Sequence, residues 1–321
     1  MGRQTLSSIC FYTRTLWKRP ELSWILLITA AIYIAHYLFG QWPTVLEAMS
    51  QFTLMQVICG AACITLMVWL KATYHAICLR PLGIKVSTRS SLRHLTSIYA
   101  QSQIARYVPG KIFGVAFEAN RLGREFSLPT IVFINLTQML HTQLATLGIM
   151  LVAALWLLNF RSEALLICSV FAFTLLWASH YWHLPLKLLT FLTTRYTNFT
   201  STQTRETSNL WRSLLLTLIL VLEWLPYFAY WIIILSNLAI PPQKVILLGM
   251  VYAASALASA LVLVVPSGLL VREALFLWAG SQLLIDPALL ILLGVFSRIL
   301  FCVADIALIP LTFAVNKPAK R

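Results

Sequence analysis

The residues able to do chemistry in this chain are a handful of charges set in or beside long apolar stretches. Glu223 lies near the middle of residues 213–236, three positions before Pro226, and Arg298 and Asp305 stand seven apart in a late apolar run. That spacing puts Arg298 and Asp305 on one helix face. The stretch YVPGKIFGVAFEANRLGRE, residues 107–125, carries Lys111 and Glu118 after a Pro-Gly. A second stretch, VVPSGLLVRE at 264–273, carries Arg272 and Glu273 after a Pro-Ser-Gly. Ionisable residues inside membrane spans are costly and functional by default. Arg offers planar bidentate contacts to phosphate oxygens and Lys a compact point charge. The set therefore predicts a polar cavity in which cations hold a phosphate while acids balance the charge. The structural alternative is that the charges pair and hold helices together, and for Arg298 and Asp305 both readings stand.

Enzyme chemistry has little to work with. The chain holds 10 Asp and Glu in all, with no Asp-x-Asp and no Ser/His/Asp set at a plausible site. A transferase acting on a lipid carrier would need a nucleophile or paired acids, and an acidic metal motif for nucleotide sugars. We expect no catalytic residue, no metal and no cofactor. The 6 cysteines are scattered through apolar segments and read as small buried hydrophobes. His180 and His183 flank Trp182 and read as an interfacial belt. Asn135, Gln138 and Thr142 form a polar stripe that predicts hydrogen bonds between helices.

The elements that must position these groups are membrane helices. Of 321 residues 60% are hydrophobic and 11% charged, with mean hydropathy +0.81. Soluble domains run near 45–50% apolar and about 25% charged. Spans are predicted at 22–39, 52–70, 164–182, 213–236 and 245–265. Residues 128–158 are apolar but too long for one upright span, and 269–315 holds a short run, Asp286-Pro287 and a long run. With no long hydrophilic stretch, residues 1–321 read as a single transmembrane domain.

Net charge is +14, which in this setting points to cytoplasmic loops facing anionic lipid and not to nucleic acid. Lys and Arg cluster before the first span, in 71–127, in 183–212 and in the tail, whereas the other connections hold only Arg161 and Lys244. Both termini and those basic segments are thus expected on the cytoplasmic side of the plasma membrane. The N-terminus reads as a retained first helix without a cleavage site.

The two Pro-Gly stretches look alike. Pro ends what precedes it, Gly frees the backbone, and Ser267 is placed to cap a new helix. A pair of Pro/Gly-interrupted segments in two halves of a chain points to a transporter binding site, so 107–118 and 264–273 predict re-entrant segments of a two-fold pseudo-repeat. Ordinary loops punctuated by Pro and Gly are the alternative.

Pro-Gly-Lys followed by Glu118, Asn120 and Arg121, and later Pro-Ser-Gly-Leu-Leu-Val-Arg-Glu, resembles the transmembrane region of lysylphosphatidylglycerol synthetases and their flippase-like relatives. Leu270 stands where that family often has Gly. The resemblance implies an all-α bundle of about eight helices, substrate contacts at these motif residues, and movement of lipid between leaflets. The soluble aminoacyl-transfer domain of the synthetases is not expected here. Three functions follow: a flippase for an anionic phospholipid or polyprenyl-phosphate-linked sugar, a lipid-carrier transferase, or a non-transporting partner of envelope-synthesis enzymes. The first is the expectation. With no ATP-binding motif, its energy would come from an ion gradient or the lipid's own gradient.

Overall fold

The computed structural model describes residues 50, 52–80, 92–104, 113–123, 125–157, 162–181, 209–261 and 271–315. The predicted first span, both Pro-Gly breaks with Lys111 and Ser267, most of the basic segment 183–212 and both chain ends lie outside the described residues.

Among the described residues every regular element is a helix. They are α1 (Leu54–Leu79), α2 (Leu92–Ile104), α3 (Phe113–Leu122), α4 (Leu128–Leu157), α5 (Ser162–Tyr181), α6 (Leu210–Leu222), α7 (Trp224–Ile234), α8 (Pro242–Leu261), α9 (Val271–Ser281) and α10 (Pro287–Val315). Five stretches are long and apolar enough to cross a membrane: Leu54–Leu79, Thr130–Trp156, Ser162–Tyr181, Leu210–Ile234 and Pro287–Leu308. The chain is a multi-pass helical membrane bundle.

α1 is its spine. A capping box starts it, with Thr53 Oγ1 accepting from Gln56 N–H and Gln56 Oε1 accepting from Thr53 N–H. Buried Gly60, Ile64, Val68, Ala72 and Ala76 recur every fourth residue, one continuous inward face. α1 packs directly on α2, α4, α6, α7 and α10; its first half belongs to an apolar cluster shared with α2 and α7 through α10, and its last turns to one shared with α2 through α6. α5 instead turns Leu166, Ile167, Val170, Phe171 and Leu175 outward, as a helix does whose solvent is lipid. Lipid tails are as apolar as these side chains, so close packing and internal hydrogen bonds must hold the helices together. Gly249 illustrates the packing: a Cβ there would stand 2.9 Å from Trp231 Cδ1.

Three boundaries depart from expectation. α1 does not stop at residue 70 but runs on through Lys71 to Leu79, because the apolar row continues past that charge. Residues 71–127 are not a simple basic connection: α2 and α3 are packed into the bundle, with Leu95, Tyr99, Ser102, Glu118 and Leu122 buried. Within 128–158, Leu128–Leu157 form one 30-residue helix, at about 1.5 Å per residue longer than the ~30 Å hydrocarbon core.

The span 213–236 is two segments meeting at Glu223. Pro226 has no N–H for the Leu222 carbonyl, yet Glu223 keeps helical dihedrals and its N–H reaches Ile219 O at 3.0 Å, so helical bonding runs up to the junction.

Candidate functional site

The last turns of α1 carry Lys71, Tyr74 and His75 inward, and α2, α3 and α4 close around them. On α2, Tyr99 and Ser102 are one turn apart on the buried face. Gly114 lets α3 approach α2 closely, since a Cβ there would sit 3.1 Å from the Ser102 carbonyl oxygen. That approach brings Glu118, 1% exposed, into the interior.

Glu118 is then surrounded by partners. His75 Nε2 lies 3.1 Å from Oε2, and Asn135 Nδ2 donates to the same oxygen at 3.0 Å. Ser102 Oγ lies 2.7 Å from Oε1. On the other edge of the imidazole, His75 Nδ1 faces Gln138 Oε1 at 2.6 Å, and Gln138 Nε2 donates to the Lys71 carbonyl at 3.2 Å. The His75 ring stacks on Tyr99 at 4.1 Å between centroids. Beside this network opens a cavity of 240 Å³ whose polar walls include Lys71, Ser102, Gln103, Glu118, Asn135 and Gln143. The Lys71 ammonium makes no ion pair among the described residues.

A second buried network lies close by. The Tyr74 hydroxyl sits 3.0 Å from His141 Nδ1 and 2.9 Å from His180 Nε2, and the two imidazoles stack at 3.8 Å. His180 Nδ1 donates to the Leu176 carbonyl at 2.8 Å, which leaves Nε2 to accept from Tyr74 O–H. Tyr74 oxygen accepts in turn from His141 Nδ1–H, so these contacts are all made with both rings neutral. The interfacial-belt reading of His180 is thereby corrected: it is 3% exposed, on the inward side of α5.

The third group lies along α8, α9 and α10. Arg298 of α10 pairs with Glu273 of α9. Asp305 stands seven residues further along α10, a rise of about 10.5 Å, on the same face as the spacing predicts. Arg272 places its guanidinium carbon 3.7 Å from the Tyr252 ring centroid, with Phe301 at 5.9 Å. Among the described residues it forms no ion pair. Tyr230 and Ser297 hydroxyls meet at 2.7 Å, tying α7 to α10.

Of the predicted site residues, Glu118 lines the cavity, and Arg272, Glu273 and Arg298 share the α9–α10 group. Glu223 is buried at the α6–α7 junction with the Lys71 charge near enough to act on it. Asp305 is fully buried on α10. Asn120 and Arg121 lie on the exposed side of α3, Arg121 5.5 Å over Phe117. Lys111 and Ser267 lie outside the described residues. Two members of the polar stripe on α4 bridge helices, Asn135 to Glu118 and Gln138 to His75, whereas the buried Thr142 hydroxyl makes no hydrogen bond.

Sequence reasoning passed over Lys71, His75 and Ser102. A signal existed: Leu95, Ile98, Tyr99 and Ser102 recur at helical spacing, as do Ile64, Val68, Ala72 and Ala76 on either side of Lys71. No protein-family model, no curated protein and no solved structure matches this chain.

Proposed function

We propose that this chain is a lipid transporter, not an enzyme, that moves an anionic phospholipid or polyprenyl-phosphate-linked lipid between leaflets of the plasma membrane. One observation carries the reading: Lys71 and Arg272 are cations within the bundle that make no direct ion pair among the described residues, and Lys71 lines a cavity. An interior cation that no carboxylate contacts is expensive unless a ligand supplies that contact. A phosphate head group does so, with Arg272 as its planar fork and Lys71 and Lys111 as point charges.

The helix lengths support a polar route. α2, α3 and α9 have 13, 10 and 11 residues. At about 1.5 Å each they cross half to two-thirds of a ~30 Å core. α2 and α3 flank the first Pro-Gly break. α9 follows the second, beginning beside Tyr252 midway along α8 and ending near the start of α8, where Lys244 Nζ donates to Leu283 O at 3.0 Å. Half-length helices of this kind fit re-entrant segments lining a cavity. The basic segments put both termini in the cytoplasm.

The test is leaflet transfer in proteoliposomes holding fluorescent phosphatidylglycerol or a polyprenyl phosphate. Wild type should accelerate transfer of at least one. Lys71→Ala and Arg272→Ala should slow it, and Arg272→Lys should slow it less than Arg272→Ala. Absence of transfer for every anionic lipid would favour a partner of envelope-synthesis enzymes instead.

A further inference from the structure

The network around Glu118 has too few hydrogens for the contacts it makes. Its amide orientations are fixed from outside. Gln138 must aim Nε2 at the Lys71 carbonyl, which can only accept, so its Oε1 faces His75 Nδ1 and that nitrogen carries a hydrogen. Asn135 Nδ2 donates to the Ile131 carbonyl and to Glu118 Oε2, each at 3.0 Å, so Asn135 is fixed too. The second imidazole nitrogen faces the same carboxyl oxygen, so one proton is needed there. An imidazolium with a carboxylate satisfies all of this.

Ser102 is the exception. Its Oγ lies 2.7 Å from Glu118 Oε1 and 2.7 Å from the Tyr99 carbonyl, and a hydroxyl has one hydrogen for two acceptors. Gln103 Nε2 donates to Ser102 Oγ at 3.4 Å and so adds nothing toward either. With Glu118 ionised, one of the two short O···O contacts has no hydrogen in it. A proton on Oε1 resolves the conflict: Glu118 then donates to Ser102, and Ser102 donates to Tyr99.

We propose that Glu118, Ser102 and His75 form a proton-binding site in the cavity wall, which takes up one proton beyond the imidazolium's. The proton enters from the aqueous phase through the cavity, which Ser102 and Glu118 both line, and comes to rest between Oε1 and Oγ. The network's charge rises from zero to +1. Ionisable groups on the elements around it are Lys71 and Tyr74 of α1, Tyr99 of α2, His141 of α4 and Glu223 at the α6–α7 junction, on which the Lys71 charge acts. α10, which packs on α2, carries Asp305 and also Arg298, the latter engaged by Glu273. Resting on the transport reading above, the consequence is coupling: proton and anionic head group add opposite charges to one cavity, so each favours binding of the other.

Infrared difference spectroscopy of the purified protein in lipid nanodiscs, without transported lipid, tests the site. As pH falls, wild type should gain a carboxylic-acid carbonyl band that is absent from Glu118→Gln. Ser102→Ala, which removes only a hydroxyl and serves if Glu118→Gln fails to fold, should shift that band to higher wavenumber because the acid loses its acceptor. A band unmoved by Ser102→Ala, or no Glu118 band down to the acid limit of folding, overturns the proposal. Transfer of phosphatidylglycerol under an imposed pH gradient tests the coupling: acceleration supports it, and transfer indifferent to the gradient overturns it. An intact Glu118 band without any lipid transfer leaves the proton site standing and rejects the transport reading.

Discussion

Cutting the Arg298–Glu273 pair should cost more than any other change of charge along α9 and α10. The two side chains are 19% and 17% exposed, between the surface and the fully buried case. Exposed pairs contribute about 0–1 kcal/mol, and breaking a fully buried pair costs about 3–5 kcal/mol. Arg298→Met strands Glu273 in between, so we expect a loss of about 2–3 kcal/mol, much of it the uncompensated carboxylate. At about 2 °C per kcal/mol for a chain of this size, apparent melting in detergent should fall by about 4–6 °C. Glu273→Gln should cost a similar amount by stranding Arg298. The double variant leaves neither charge alone and should recover most of the loss, a coupling of about 2 kcal/mol. Asp305→Asn supplies the control, since its effect should be closer to additive with that of Arg298→Met. Additive losses for the Arg298–Glu273 pair, or stronger coupling to Asp305, would refute the assignment of partners.

Gly249→Ala should lower the melting midpoint by about 1–3 kcal/mol equivalent, because its Cβ meets Trp231, which is hemmed in by the rings of Tyr230, Tyr252 and Phe276. Tyr74→Phe removes the one hydroxyl serving two buried imidazoles and should cost about 1–3 kcal/mol, read from the same melting curves. Leu284 holds φ at 57° in the α9–α10 turn, so Leu284→Gly should raise the midpoint, by about 1 kcal/mol equivalent.

Helix positions were readable where the bilayer alone determines them. α5 was expected at 164–182 and runs Ser162–Tyr181, because a continuous apolar stretch needs no partner helix to declare itself. α2 was not readable in that way. Its sequence LRHLTSIYAQSQI has low overall hydrophobicity, and only the face bearing Leu95, Ile98, Tyr99 and Ser102 is buried against other helices. Its place in the bundle is a tertiary fact, visible in sequence only as spacing. Lys71 obscured α1 for the opposite reason. One cation at the edge of an apolar run looks like the start of a loop, yet a long side chain can turn its ammonium toward a polar cavity while the backbone stays helical.

The candidate site divides along the same line. A search for charge finds Glu118, Arg272, Glu273 and Arg298 because charge in apolar sequence is conspicuous. It cannot find what holds them. Glu118 is bound by a histidine, a serine and an asparagine from three other helices, residues that carry little or no formal charge and are common in ordinary interhelical contacts. Helical periodicity states which way a side chain points but not how far away the facing helix stands. Arg298 and Asp305 share a face as their spacing requires, yet seven residues of rise separate them, while Glu273 reaches Arg298 from the neighbouring helix. Direction is local and written in the spacing of residues. Partnership depends on the distance between helices, which is set by the small residues and hydrogen bonds that let α2, α3 and α9 come close.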